Sequence, residues 1–399
     1  MTMLYNEPGV TESTIGPAGG SQLNPFYFYK KALTEIAKEQ YFGQLADVRA
    51  MPKNMGKTIK QYHYLPILDD RNVYTQGLDA AGNAINPGNL YGSSKDIGTI
   101  PNKLPTLSEN GGRVNRVGMT RIQIEGSIEK FGFFDEYTKE SIDFDSDPEL
   151  EMHITSESLK AANEITEDQL QLDLLAGAGV VRYTGNATAD AEVSGNTTGG
   201  ADLVTYNDLV KLSIELDNNR TPKQTKIISG SRMVDTRVVN AARYMYIGSE
   251  VLPSLLRMTN YHGEKAFIPV AQYADAGNVA RGEVGAIDNF RIIVVPEMMK
   301  WAGAGAAVVD NGGNYAVTGS NYDIFPMLVV GDGSFTTIGF QTDGKTVKFS
   351  IKHMKPGSEA SYTALDPYGE TGFYSIKWYY GTMILRPERI ALIKTIGEA

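Results

Sequence analysis

Residues 290–295 read FRIIVV, and in an extended backbone Phe290, Ile292 and Val294 point one way while Ile293 and Val295 point the other. A strand that is apolar on both faces cannot lie at the edge of a sheet or on a half-wet one. It demands a neighbour on each side and cover above and below. Pro296 ends the run, because it has no N–H to give to a ladder and biases Val295 towards an extended conformation. Gly282 and Gly285 predict a two-glycine turn leading into the strand. An ordinary core strand of many folds would look the same, so the fold class has to come from the elements around it.

The chain has 399 residues, 42% of them hydrophobic, which is enough for more than one packed core. It has no cysteine, so disulfides, thiolate nucleophiles and cysteine-bound zinc are excluded together. No run approaches the roughly 18 apolar residues of a membrane span. The opening MTMLYNEPGV lacks the basic-then-apolar order of a signal peptide, which predicts folding in the cytoplasm and no membrane partner. With 37 basic and 47 acidic residues the net charge is −10, which argues against a protein that grips phosphates through charge.

Residues 1–20 hold four glycines and two prolines without apolar periodicity, and read as a tail or arm. Asn24 and Pro25 then start a short amphipathic helix, with Phe26, Tyr29, Leu33 and Ile36 on one face, running to Phe42. Residues 58–65 and 119–129 predict strands; in the second, Ile122, Ile124 and Ile128 oppose Arg121, Gln123, Glu125 and Glu129. Between them, residues 69–118 contain eight glycines and three prolines and no sustained period. A loop of that length is uncommon unless it is functional. Asp147, Pro148 and Glu149 predict the start of a helix of about 30 residues ending at Gly177 and Gly179, with Leu150, Ile154, Ala161, Ile165 and Leu172 as its apolar stripe.

Further on, the pattern predicts helices over 206–219 and 232–246 with a short strand at 226–229 between them, an α/β or α+β arrangement when joined to the strand at Phe290. Residues 301–320 form a glycine-rich loop. Strands follow at 325–330, 335–339, 347–353, 373–380 and 390–396, and in the fourth Tyr374, Ile376, Trp378 and Tyr380 share one face against Ser375 and Lys377. There is no internal repeat.

Reactive motifs are not found. Residues 51–58, MPKNMGKT, place Gly56, Lys57 and Thr58 as a phosphate loop would, but Met51 stands where its first glycine belongs and no strand is expected before it. The acids from Asp143 onward alternate as in a calcium loop, yet Pro148 replaces the turn glycine and Ile154 the bidentate glutamate. His63, His153, His262 and His353 are far apart and in no metal-binding pattern. The run from Gly303, GAGAAVV, lacks the third glycine of a dinucleotide fingerprint, and no Gly-x-Ser-x-Gly elbow exists. We therefore assign no catalytic, cofactor-binding or metal-binding residue and expect no cofactor. The 22 tyrosines fit either β-core packing or subunit contact.

The glycine-led strand at 282–297, the long capped helix upstream, the glycine-rich loop before it and the closing DPYGETGFYSIKWYYGTMILRPERIALIKT resemble, in this order, the major capsid proteins of tailed bacteriophages, nearest the short-tailed group. The likeness spans essentially the whole chain and rests on element order. It implies an α+β fold with an N-terminal arm (1–48), an extended β-hairpin loop with flanking strands (49–130), a peripheral domain with a spine helix (131–200, returning at 301–365), a central α/β axial domain (201–300) and closing strands (366–399). It implies a non-enzymatic coat protein that forms hexamers and pentamers of an icosahedral shell around double-stranded DNA, held without sequence-specific binding. The implied partners are a separate scaffolding protein, a portal at one vertex and, optionally, a decoration protein. The implied location is the virion capsid, after assembly in the bacterial host cytoplasm. Some members carry a long cleaved scaffolding segment, whereas about 45 residues precede the first strand here. Some crosslink lysine to asparagine; Lys95 and Lys103 lie in the long loop, but no partner is marked and no crosslink is expected. A β-rich polysaccharide hydrolase and a nanocompartment shell protein of the same fold are the alternatives.

Overall fold

The computed structural model describes residues 40–64, 68–69, 91–92, 109, 121–143, 150–196, 200–229, 235–272, 280–311, 313–341, 349–359, 361–362 and 366–399. The expected helix over 24–42 lies outside them except for its last residues, where Phe42–Leu45 is a single 3-10 turn. Of the long loop at 69–118 only residues 69, 91–92 and 109 are among them, and the cap at 147–149 lies outside. In chain order the strands begin with β1 (Asp47–Met51), β2 (Thr58–Tyr64), β3 (Leu68–Asp69), β4 (Tyr91–Gly92), β5 (Arg121–Ser127) and β6 (Glu129–Thr138). Helices α1 (Lys139–Asp143) and α2 (Leu150–Ala176) follow, then β7 (Val180–Tyr183), α3 (Tyr206–Asn218), β8 (Gln224–Ser229), β9 (Asp235–Ile247) and α4 (Leu252–Arg257). The rest is β10 (Ile268–Pro269), β11 (Glu283–Ile287), β12 (Phe290–Val294), β13 (Val317–Thr318), β14 (Asn321–Tyr322), β15 (Phe325–Val330), β16 (Phe335–Phe340), β17 (Ser350–Met354), β18 (Thr371–Ile384) and β19 (Ile390–Thr395). Phe134–Ala161 and Ile351–Ser375 form one compact unit, and the other described residues form a larger one.

The larger unit is organised by the sheet β10-β11-β12-β9-β15-β19-β7, with β8 paired to the outer half of β9. The doubly apolar β12 sits inside it, antiparallel to β11 and parallel to β9, as its sequence demands. Its lead-in differs from the expected two-glycine turn. Glu283–Ile287 is itself a strand, and the reversal falls at Asp288 and Asn289, with Asp288 at φ 51°. On one sheet face Met245, Ile247, Phe290, Ile292, Phe325, Met327, Val329, Ala391 and Ile393 pack with Leu209, Leu212 and Leu216 of α3 and Leu255 of α4. On the other, Tyr244, Tyr246, Ile293, Leu328, Val330 and Ile390 are buried as well.

The expected helix over 232–246 is corrected to strand β9. Residues 242–247 are buried on both faces of the sheet, and a run buried all round gives no reliable period. Position in the sheet decided it: residues 243–247 lie between β12 and β15. Arg243 is 1% exposed, and its guanidinium donates to Asp217 Oδ1 (2.6 Å), Thr221 O (3.1 Å) and Ser213 Oγ (3.4 Å), tying α3 to the strand beneath it.

The long helix is present, but the expected stripe is not its buried face. Ala162, Thr166, Leu170, Gln171 and Leu174 are buried, whereas Ile165 is 42% and Leu172 50% exposed. Two polar members of the buried row have partners: Thr166 Oγ1 donates to Ala162 O (2.8 Å) and Gln171 Nε2 to Met298 Sδ (3.1 Å). Helix α3 follows its sequence more closely, because Thr205 and Asp208 form a reciprocal capping box at its start.

In β18 the predicted face holds: Tyr374, Ile376, Trp378 and Tyr380 are all buried. Trp378 is flanked by the rings of Phe131, Phe133 and Phe349 at centroid distances of 5.9, 6.1 and 5.5 Å. Replacing a fully buried indole by alanine leaves a cavity that such a cluster cannot close. Trp378→Ala is expected to destabilise the subunit by about 3–5 kcal/mol, and Trp378→Phe by clearly less, measured by urea unfolding of unassembled protein.

Candidate association surfaces

The motifs weighed in the sequence resolve into turns. Residues 51–58 join the end of β1 to the start of β2, with Asn54 at φ 69° and Gly56 at φ 83°. A strand does precede this run, contrary to expectation, but another strand follows it, so there is no helix N-terminus to receive a phosphate. Gly303 also lies in a turn, at φ 63°, and its N–H donates to Asp323 Oδ1 (2.8 Å). Among the described residues no group of three histidine, aspartate or glutamate side chains is placed to hold a metal ion.

What the larger unit does present is a rooted N-terminal segment and exposed aromatic surface. Glu167 Oε1 on α2 accepts from the backbone N–H groups of both Tyr41 and Phe42, each at 2.6 Å. Tyr246 Oη donates to Tyr41 O (3.0 Å), and the Phe42 ring packs on the Tyr246 ring at 4.5 Å. Gln44 bonds the main chain of Arg281 twice, accepting from its N–H (2.8 Å) and donating to its carbonyl (3.3 Å). Gly282, at φ 75°, leaves room for the Tyr41 ring, which a Cβ there would meet at 2.5 Å. From Asp47 the chain becomes β1, parallel to β16, and Thr336 Oγ1 donates to Asp47 O (2.8 Å). The root of this segment is therefore part of the core.

Strands β2 and β5 form an antiparallel ladder from Thr58↔Ser127 to Tyr64↔Arg121. Gly126 lets its base close on the core, since a Cβ there would lie 2.7 Å from Met383 Cβ and 2.8 Å from Ile338 Cδ1. Away from that base the ladder is wet, carrying the ion pair Lys60–Glu125 (2.8 Å) and Arg121 over the Tyr62 ring (4.3 Å). Tyr62 and Tyr64 are half exposed. Tyr261 stands out beside α3, its ring edge-on to Tyr206. In the smaller unit Tyr362 and Tyr368 are exposed, the latter at 80%. The tyrosines thus divide between core and surface, and only burial separates the two sets.

Asp323 fixes the glycine-rich loop over 301–320. Its carboxylate accepts from Lys300 Nζ (2.6 Å), Gly303 N–H (2.8 Å) and Thr318 Oγ1 (3.0 Å). Burial pushes this carboxyl up, but those three donors and the Lys300 charge outweigh it and hold it below the usual range.

The model of the family described as phage capsid protein matches residues 122–393. The chain is 58% identical over 395 residues to the major capsid protein of Pseudomonas phage KPP21, an alignment covering 99% of this chain and 97% of that one. The capsid of Ralstonia phage GP4 is similar in structure, with TM-score 0.56 and 12% identity over 97% of this chain and 99% of the other. The capsid structure of the Cyanophage P-SCSP1u gives TM-score 0.54 and 13% identity over 94% and 92%. These two likenesses speak to the fold.

Because the Asp323 carboxyl is held low in the folded protein, its contribution is present above the ordinary aspartate value and is lost as pH falls through the folded one. Asp323→Asn is expected to cost about 1–3 kcal/mol at neutral pH and to flatten the acid limb of the stability curve, checked by thermal melts from about pH 3 to about pH 7.

Proposed function

Because this chain belongs to the phage capsid protein family, and is a phage major capsid protein and not an enzyme, we propose that it closes into hexamers and pentamers of an icosahedral head around double-stranded DNA. The 58% identity over nearly the whole chain carries this reading. The hydrolase and nanocompartment alternatives are not supported by this relative or by the family match.

Head-to-tail contacts that rotate to closure make such rings, and each subunit has to offer different patches to its two neighbours. Three exposed aromatic surfaces suit that role: the β2–β5 ladder with Tyr62 and Tyr64, the turn bearing Tyr261, and Tyr362 and Tyr368. Tyrosine brings broad apolar area with a polar tip, the composition enriched in contacts that hold without being greasy when free. Several modest contacts per subunit, made together, hold far more strongly than any one of them. In this proposal the arm (1–48) and the extended loop (49–130) tie neighbours together, the axial domain (201–300) lines the ring axis, and the parts at 131–200 and 301–365 form the periphery.

A net charge of −10 suits a shell that encloses DNA without adhering to it. We assign a separate scaffolding protein, a portal at one vertex and an optional decoration protein as partners, with assembly in the host cytoplasm before the protein resides in the virion.

Deleting residues 1–24 removes chain that precedes the rooted segment at Tyr41. The deleted protein is expected to keep the circular dichroism and melting behaviour of the subunit and to form no closed shells by negative-stain electron microscopy. Normal particles from it would remove the arm from the assembly scheme.

A further inference from the structure

We propose that the Tyr368 turn of one subunit seats on the β1–β2 turn of a second copy, with Met55 against the Tyr368 ring and Lys53 and Lys57 reaching the carboxylates of Glu140 and Glu370. This deepens the coat-protein reading and rests on it, because it names two patches of one chain that meet across a head-to-tail contact.

The two turns are opposite in charge. Residues 48–64 carry Arg49, Lys53, Lys57 and Lys60 and no acid, in a chain whose net charge is −10. Two of these are engaged within the subunit: Arg49 Nη1 donates to Gln61 Oε1, and Lys60 pairs with Glu125. Lys53 and Lys57 are exposed, and among the described residues neither has an ion-pair partner. In the smaller unit, residues 134–143 and 366–371 hold six acids and one lysine. Glu140 and Glu370 are exposed there, again with no ion-pair partner among the described residues. Each turn also carries an apolar side chain in water, Met55 at 70% exposure and Tyr368 at 80%. A thioether packs favourably on an aromatic ring, so the pair supplies an apolar centre and the lysines and carboxylates its polar rim.

Both turns are built before a partner arrives. At the entrance of the basic turn Met51 is buried and its carbonyl accepts from Gln341 N–H (3.0 Å); at the exit Lys57 O accepts from Ile128 N–H (3.0 Å). The Tyr368 turn is closed by Gly369 N–H on Asp366 O (3.3 Å) and tied down by Gly357 N–H on Gly369 O (2.8 Å). The Asp366 carboxylate accepts from Thr371 N–H (2.8 Å) and Thr371 Oγ1 (2.6 Å). Lys139 N–H donates to Glu370 O (2.8 Å), so α1, with Glu140, starts beside Glu370. Side chains on turns already fixed have little further freedom to lose on association. Nucleic acid would answer the lysines but leave Glu140, Glu370 and the Tyr368 ring facing water. A second copy answers both turns, and every subunit of a shell carries both.

The chain has no cysteine, so thiols introduced by substitution are the only ones present. Full-length Met55→Cys and Tyr368→Cys chains are mixed under assembly conditions and treated with a short bismaleimide. The mixture should give a covalent dimer on a denaturing gel, and either chain alone should give little. Adding Lys53→Glu and Lys57→Glu to the first chain should cut the yield about tenfold at about 0.1 M salt. Adding Glu140→Lys and Glu370→Lys to the second should then restore it, with thermal melts showing that all variants are folded. The proposal is overturned if the mixture gives no more dimer than the separate chains, if the first charge reversal leaves the yield unchanged, or if the second does not restore it. Negative-stain microscopy of wild type separates the two readings. Shells without the crosslink refute this contact and leave the coat-protein reading standing, whereas the crosslink without shells supports the contact and counts against shell closure.

Discussion

A sheet buried on both faces needs two covers, and in this chain they come from distant parts of the sequence. One is local, since α3 and α4 flank β8 and β9 in the chain and pack on the face that carries Met245, Ile247 and Phe290. The other includes Phe42, some 200 positions away from the Tyr246 ring it rests on. The N-terminal segment therefore cannot be a loose appendage from Tyr41 onward: removing it would uncover apolar strand surface. That requirement explains why so many different bonds converge there.

Polar groups do the joining where the elements meet. Arg243 reaches three oxygens of α3 and the turn after it, Asp323 gathers three donors of one loop, and Glu167 holds two main-chain N–H groups. Each is worth little over water when satisfied and costs a great deal when left unpaired, so each favours one arrangement of its loop over all the others. Loops fixed in this way can present Tyr261 or the β2–β5 ladder at a defined position. A coat subunit has to place its contacts accurately before any partner arrives, and satisfied buried polar groups supply that placement without adding exposed apolar area.

The reading of the sequence succeeded where one physical signal dominated. In β18 strict alternation over Tyr374, Ile376, Trp378 and Tyr380 marks the buried face, and the helix expected over 206–219 is present as α3. It failed where two signals overlapped. Residues 243–247 are buried all round and carry no reliable period, and their placement between β12 and β15 decides for strand. On α2 the most apolar row carries Ile165 and Leu172, yet the fold buries Thr166 and Gln171. No periodicity reveals that: Thr166 bonds back within the helix to Ala162 O, and Gln171 depends on Met298, far away in the chain.

By itself the sequence determined the kinds of most elements outside 232–246, the doubly buried strand at Phe290, the freedom from disulfides, and an element order that points to a phage coat protein. These are local or compositional properties, written in spacing and residue type. Tertiary structure alone decided which tyrosines are core and which are surface, which face of α2 is inward, and that Glu167 meets Tyr41 across 126 positions. Those outcomes depend on contacts between residues far apart in the chain, and a side chain's burial is a property of what lies opposite it.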